Sequence, residues 1–275
     1  MLKKLIKYDF RAVIKYWWIA ALSSVVLSIA GGWCISVFAS EKELPEVLYL
    51  VATLVAIVAV LGLCAFSVLT IVFVYSRFYK NFFTDEGYLT FTLPVKRSQL
   101  LNSKLIASMM ASGLTSLVII LDVAIAIFIG LNKYIEKDFF KEIWDELVGE
   151  VIRETGFYAV IYLVEILLLV ILFTLFSTLF VFCCITIASI IAKKAKIITA
   201  IGVYYVANSV FTFVLQMFWL FCFDSIGNWL YDIPKNLTCP VYALIMLTGI
   251  LFFGMCCGIL YSLQYWMLDR KLNLS

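Results

Sequence analysis

Two carboxylic acids, Asp122 and Glu165, sit inside long apolar runs of a 275-residue chain. A charged side chain at the centre of a bilayer costs about 2.5 to 3.5 kcal/mol on insertion scales, so such residues are expected to face a bundle interior, a cavity or a partner. Both lie in the outer halves of their runs, where that cost falls. A place on a substrate path and a structural or water-reached position therefore both stay open. If the two met within hydrogen-bond reach they would form an acid pair that shares a proton. Asn208 and Gln216, with Ser209, add polar groups to a later run and either glue helices together or line a path.

The chain has no His. Imidazole zinc sites, His proton shuttles and His-dependent triads are therefore excluded. No Gly-x4-Gly-Lys-Ser/Thr phosphate loop is present, so ATP is not bound by that device. No metal motif, nucleophile elbow or internal repeat is visible either. The chain is expected to hold no cofactor of its own, not to be an enzyme, and to have no nucleic-acid partner.

The elements that position these residues follow from composition. The chain is 64% hydrophobic and 14% charged, with mean hydropathy +1.05, against roughly 25% charged for soluble domains. An all-α integral membrane protein with a single membrane domain is expected. Apolar runs at about 17–38, 48–76, 105–131, 156–191, 197–222 and 239–263 each exceed the roughly 20 residues needed to cross a bilayer. The first run is long enough to remain as a span, and no clear cleavage site follows it. The fourth is too long for one upright crossing and too short for two, so it must tilt, protrude or bend. Ahead of the first span, residues 1–16 set Leu2, Leu5, Ile6, Val13 and Ile14 against Lys4, Lys7, Arg11 and Lys15. That spacing describes an interfacial amphipathic helix, and equally the basic flank of the span.

Charge fixes the expected orientation. With both termini cytoplasmic, the inner segments hold 15 of the 21 basic residues and the outer loops carry 12 of the 18 acids. An inverted arrangement would oppose the positive-inside bias. The outer loop 132–155 repeats Ile135, Phe139, Ile143, Leu147 and Val151 every four residues among acids. It reads as an amphipathic element over the outer mouth, resting on the spans or controlling access.

Eight Cys lie mostly in apolar runs, where Cys acts as a small hydrophobe. Only Cys222 and Cys239, near outer span ends, are placed to pair. Gly254 and Gly258 form a small-xxx-small pair that packs helices within one subunit or between two.

The segment from Arg77 to Lys104 separates the second and third runs. Gly87 and Pro94 break helix there. Arg77, Lys80, Lys96, Arg97 and Lys104 place it at the inner face, while Phe82, Phe83, Tyr88, Leu89, Phe91 and Leu93 offer apolar surface. The pattern suits a docking surface for a cytosolic partner, and also a cytoplasmic loop resting on headgroups.

Its Thr84-Asp85-Glu86-Gly87-Tyr88-Leu89-Thr90-Phe91-Thr92-Leu93-Pro94-Val95 run, followed by Lys96-Arg97-Ser98-Gln99-Leu100-Leu101 and Lys104, resembles the loop between the second and third spans of type 2 ABC exporter permeases, a bacterial family known chiefly from Gram-positive species. The basic amphipathic start and six-span layout resemble the same family, so the resemblance covers the whole chain. It implies a permease of the bacterial plasma membrane working as two copies, a homodimer in the simplest case, with two cytosolic ATPase subunits that bind ATP and Mg. It also implies that Phe82, Phe83, Asp85, Glu86, Gly87, Tyr88, Lys96 and Arg97 couple to those ATPases. Asp122, Glu165, Asn208 and Gln216 become candidates for the substrate path. Members export peptides, antimicrobials, lipids or polysaccharides, and amphipathic or antimicrobial peptides are the expected cargo here. The alternative is a non-transporting sensor or immunity subunit that binds a peptide and recruits a partner.

The topology is tested by fusions. Green fluorescent protein after Ser275 should fluoresce, and alkaline phosphatase inserted within 132–155 should be active. The opposite pair of results would invert the chain.

Overall fold

A computed structural model of the chain describes residues 2–40, 45–84, 87, 92, 95–132, 149–192, 195–231 and 238–270. Among them the chain forms α1 (Leu2–Phe38), α2 (Glu46–Phe83), α3 (Arg97–Leu131), α4 (Glu150–Thr155), α5 (Tyr158–Ile191), α6 (Lys196–Tyr231) and α7 (Thr238–Arg270). No strand occurs among the described residues. All but α4 are long and apolar enough to cross a membrane. The architecture is that of an all-α, multi-pass membrane protein. In hydrocarbon the backbone has no water to bond, and a helix satisfies every N–H and C=O internally, so long apolar runs are driven into unbroken helices.

The basic amphipathic stretch is the opening of α1, which continues through it for 37 residues. Nothing between Lys15 and Trp17 breaks the helix, so the interfacial segment and the first span share one axis. The fourth run is also settled. Gly156 adopts φ +55°, and its N–H closes α4 on the Ile152 carbonyl at 2.8 Å. A left-handed residue after a helix is a position that favours glycine. From Tyr158 the run is a single 34-residue helix.

The chain divides into two compact units, Met1–Lys80 with Gln99–Trp144, and Asn81–Ser98 with Asp145–Ser275. In the first, α1 buries Asp9, Val13, Trp17, Ala21, Ser24, Ser28 and Gly32, a stripe at three-and-four spacing. Its lower half is small, which lets another backbone approach. A Cβ on Gly32 would stand 2.8 Å from the Ile129 Cβ and 2.9 Å from the Ala126 carbonyl oxygen. Gly130 approaches Ile35 and Gly62 approaches Leu27 in the same way. Higher up, Trp17 packs on Phe66 with Ala21. Its Nε1–H donates to the Thr115 hydroxyl at 2.9 Å, and Thr115 lies 3.2 Å from the Thr70 hydroxyl. One buried polar chain thus joins α1, α2 and α3.

In the second unit, α5 is the central helix and packs on both α6 and α7. Phe176 meets Phe211 of α6 at 5.1 Å and Phe253 of α7 at 5.6 Å between ring centroids, an arrangement that adds specific ring contacts to apolar burial. The buried Gln264 amide donates to the Thr186 hydroxyl at 2.8 Å. Cys183 and Cys257 lie buried against carbonyls of the facing helix, Leu260 and Leu172. They pack as small side chains, as expected of Cys in apolar runs.

Among the described residues, Gly254 and Gly258 make no close helix contact. A Cβ on either meets nothing within 4 Å. Gly32, Gly62 and Gly130 carry that role instead.

Gly32→Ala should lower the thermal midpoint in detergent, because overpacking costs about 1 to 3 kcal/mol. Gly113→Ala, where an added Cβ meets nothing within 4 Å, should raise it, since alanine favours a helix interior by roughly 0.5 to 1 kcal/mol. Shifts of the same sign would contradict the packing.

Candidate coupling site

The connector between the second and third spans is shorter than its sequence suggests. α2 runs on to Phe83 and α3 begins at Arg97. Arg77 and Lys104 are therefore helical, and residues 84–96 join the two helices. Two contacts anchor its described parts. The Gly87 N–H donates to the Thr84 carbonyl at 2.8 Å. A Cβ at Gly87 would stand 2.8 Å from the Phe82 carbonyl oxygen and 2.9 Å from its carbon. Only glycine lets the chain fold back this closely over the end of α2.

The second anchor is Arg97. Its Nη1 donates to the carbonyls of Leu268 at 3.0 Å and Asp269 at 2.6 Å, and pairs with Asp269 Oδ1 at 3.0 Å. The last carbonyls of a helix lack intrahelical donors and carry the negative end of its dipole, so a guanidinium there satisfies both needs. Arg97 thus ties the start of α3 to the end of α7. Residues Asn81–Ser98 accordingly cluster with the second unit.

The coupling residues expected from the sequence divide as follows. Phe82 is buried at 1% exposure, so it anchors the connector rather than offering apolar surface. Phe83 is half-buried beside it, with centroids 6.3 Å apart. Lys96 is exposed. Arg97 is a strut. Asp85, Glu86 and Tyr88 lie outside the described residues.

The flanking cations Arg77 and Lys104, which the sequence reads as inner-face charges, are also engaged. Lys104 Nζ pairs with the Asp9 carboxylate, which accepts a hydrogen bond from the Ser103 hydroxyl at 3.1 Å. Arg77 Nε stands 3.8 Å from the same carboxylate. The side chains of Asp9 and Lys104 are only 8% and 10% exposed. An acid alone in a basic amphipathic stretch is the sequence signal that would have found this hub.

Inside the spans, Asp122 is fully buried in α3 with neither carboxylate oxygen bonded. Its backbone carbonyl accepts a hydrogen bond from Ser28. Glu165 is buried in α5, with Oε2 unbonded. The two acids belong to different units. Asn208 and Gln216 are exposed on α6. Cys239 is unpaired, and the Cys222 side chain lies outside the described residues. No group of three or more Cys, Asp or Glu poised for a metal occurs among the described residues. No family model, curated protein or solved structure matches the chain.

The described parts of the connector are held at Gly87 against the end of α2 and at Arg97 against the end of α7. Removing one partner of a buried ion pair costs about 3 to 5 kcal/mol, mostly through the charge left behind. Lys104→Ala should therefore lower stability in detergent more than the Asp9→Ala, Lys104→Ala double variant does. Equal losses would place the pair outside the packed interior.

Proposed function

We propose that the chain is the membrane permease subunit of an ATP-driven exporter in a bacterial plasma membrane, with both termini cytoplasmic. ATP and Mg are bound by two separate cytosolic ATPase subunits, and two copies of this chain form the pathway. Residues 84–96 receive the ATPase. Amphipathic or antimicrobial peptides are the cargo class.

The observation that carries this reading is the attachment of the connector. Covalently it joins α2 to α3. Through Arg97 it is fastened to the last turn of α7, and through Gly87 it is held tight against the end of α2. A segment that must pass displacement to several spans needs this stiffness, because a loop that deforms absorbs the work. A partner shifts a two-state equilibrium only through differential binding to the two states, so its contact must be well defined. The lack of a phosphate-binding loop in the sequence agrees with a motor carried elsewhere.

The decisive experiment is the mass of the intact complex solubilised from native membranes. Two 31.3 kDa chains with two copies of an ATPase are expected, and recovery of the chain alone or with a non-ATPase partner overturns the reading. Within the complex, Gly87→Pro, which removes the donor to Thr84, and Glu86→Arg should abolish substrate-stimulated ATP hydrolysis while insertion is retained. Arg97→Ala should reduce stimulation several-fold. Unchanged stimulation in all three would remove residues 84–97 from the coupling path.

A further inference from the structure

The three charges of the Asp9 hub do not balance. Asp9 Oδ1 pairs with Lys104 Nζ, and Oδ2 accepts the Ser103 hydroxyl at 3.1 Å, so the carboxylate is neutralised and both its oxygens are engaged. Arg77 brings a second cation to the same carboxylate, but its Nε stands 3.8 Å away, beyond hydrogen-bond range. That Nε is buried and makes no hydrogen bond. The Arg77 side chain is 37% exposed, and its guanidinium has no other partner among the described residues. A guanidinium carries five N–H donors and a permanent charge, so an acceptor for the remaining ones has to come from outside the chain.

The position of this unmatched cation decides what meets it. Arg77 directly follows the apolar run 48–76, and Lys104 directly precedes the run 105–131, so both stand where hydrocarbon gives way to headgroups. Negative charge is scarce there. Of the other described acids of the first unit, Glu46 opens α2 at its opposite end and Asp122 lies deep in α3, while Lys7 and Arg11, each two residues from Asp9, are exposed. One turn into the span from Arg77, Phe73 lies against Tyr16 of α1 with ring centroids 6.2 Å apart, and Tyr16 is 56% exposed. A cation at the boundary thus sits above an accessible aromatic surface, the two halves of an amphiphile's complement.

We propose that Arg77 binds the phosphate of an anionic phospholipid whose acyl chains run over Tyr16 and Phe73. The guanidinium donates to the phosphate oxygens, as its fork geometry favours, while the Asp9–Lys104 pair holds its stem at the boundary. Basic pockets between spanning helices are a recurring means of holding such headgroups. A choline lipid fits less well, because its own cation enters a site that already has one in excess.

The test uses the full chain, delipidated in detergent and without any ATPase, so its outcome does not depend on the exporter reading. The protein is incubated with equimolar phosphatidylglycerol and phosphatidylcholine of identical acyl chains, and retained lipid is counted by native mass spectrometry. Retention of phosphatidylglycerol about tenfold above phosphatidylcholine is expected, the affinity equivalent of one charge-assisted hydrogen bond. Arg77→Gln should erase that preference, and added phosphatidylglycerol should raise the thermal midpoint of the unmodified chain but not of this variant. Arg77→Lys, which keeps the charge and loses the fork, should retain part of the preference, and Lys7→Gln should leave it unchanged. Equal retention of the two lipids by the unmodified chain overturns the proposal, as does a preference that survives Arg77→Gln. A preference that Lys7→Gln removes equally overturns it in favour of diffuse attraction to a basic surface. Displacement of the lipid by equimolar water-soluble glycerophosphate overturns the lipid assignment in favour of a free phosphate.

Discussion

A backbone that crosses hydrocarbon must close its own hydrogen bonds, and this constraint decides where the chain is able to do anything other than be a helix. The spanning helices run from 33 to 38 residues, about 50 to 57 Å at 1.5 Å per residue. A hydrocarbon core is about 30 Å thick. Each helix therefore has about 20 Å or more to project beyond lipid. The described breaks, at Gly87, Gly156 and Ala195, fall at helix ends, where water or protein can meet the freed groups. Specialised chemistry is pushed to the same ends, which is where the connector and the hub of Asp9, Arg77 and Lys104 are found.

The charges on these overhangs are of two energetic kinds. Asp9 and Lys104 are nearly out of solvent, so separating them leaves an uncompensated ion and costs several kcal/mol. Arg97 and Asp269 have side chains 45% and 47% exposed. Such a pair is worth about 1 kcal/mol or less, and salt screens it. The first contact sets the fold of α1 against the flanks of the connector. The second does not rest on the ion pair alone, since the Arg97 guanidinium also donates to the Leu268 and Asp269 carbonyls.

Much of the fold was legible because apolar length is a strong signal: the six spans, and the place where the second and third are joined, follow from run length and from Gly87. Helix ends were less legible. Hydropathy fades at Ser76 while helix propensity does not, and Arg77–Phe83 continue α2 past the apolar run. The role of Arg97 could not be read, because its partners are carbonyls 171 and 172 residues away, and a backbone acceptor leaves no mark on sequence. The partners of Asp9 were not legible either, since pairing depends on which face of α1 meets α3. Gly254 and Gly258 show the converse limit of a sequence pattern. Small-residue spacing permits close approach, but a second helix must be brought there, and none is among the described residues.

The same reasoning gives α6 its place in the proposed assembly. Its apolar window has no buried residue, yet Asn208, Thr212 and Gln216 recur every four residues along it and all are exposed. A primary amide facing lipid loses several hydrogen bonds that water would supply, at a cost of about 1 to 3 kcal/mol each by mutational scales. A face of this kind demands a polar neighbour, and none covers it among the described residues. In a two-copy exporter both available neighbours meet the demand. Side-chain amides donate and accept, so identical faces from two copies satisfy one another, and a water-filled path between copies does the same with solvent. What excludes a lipid-facing α6 is the polar stripe itself, and the requirement holds whichever cargo passes.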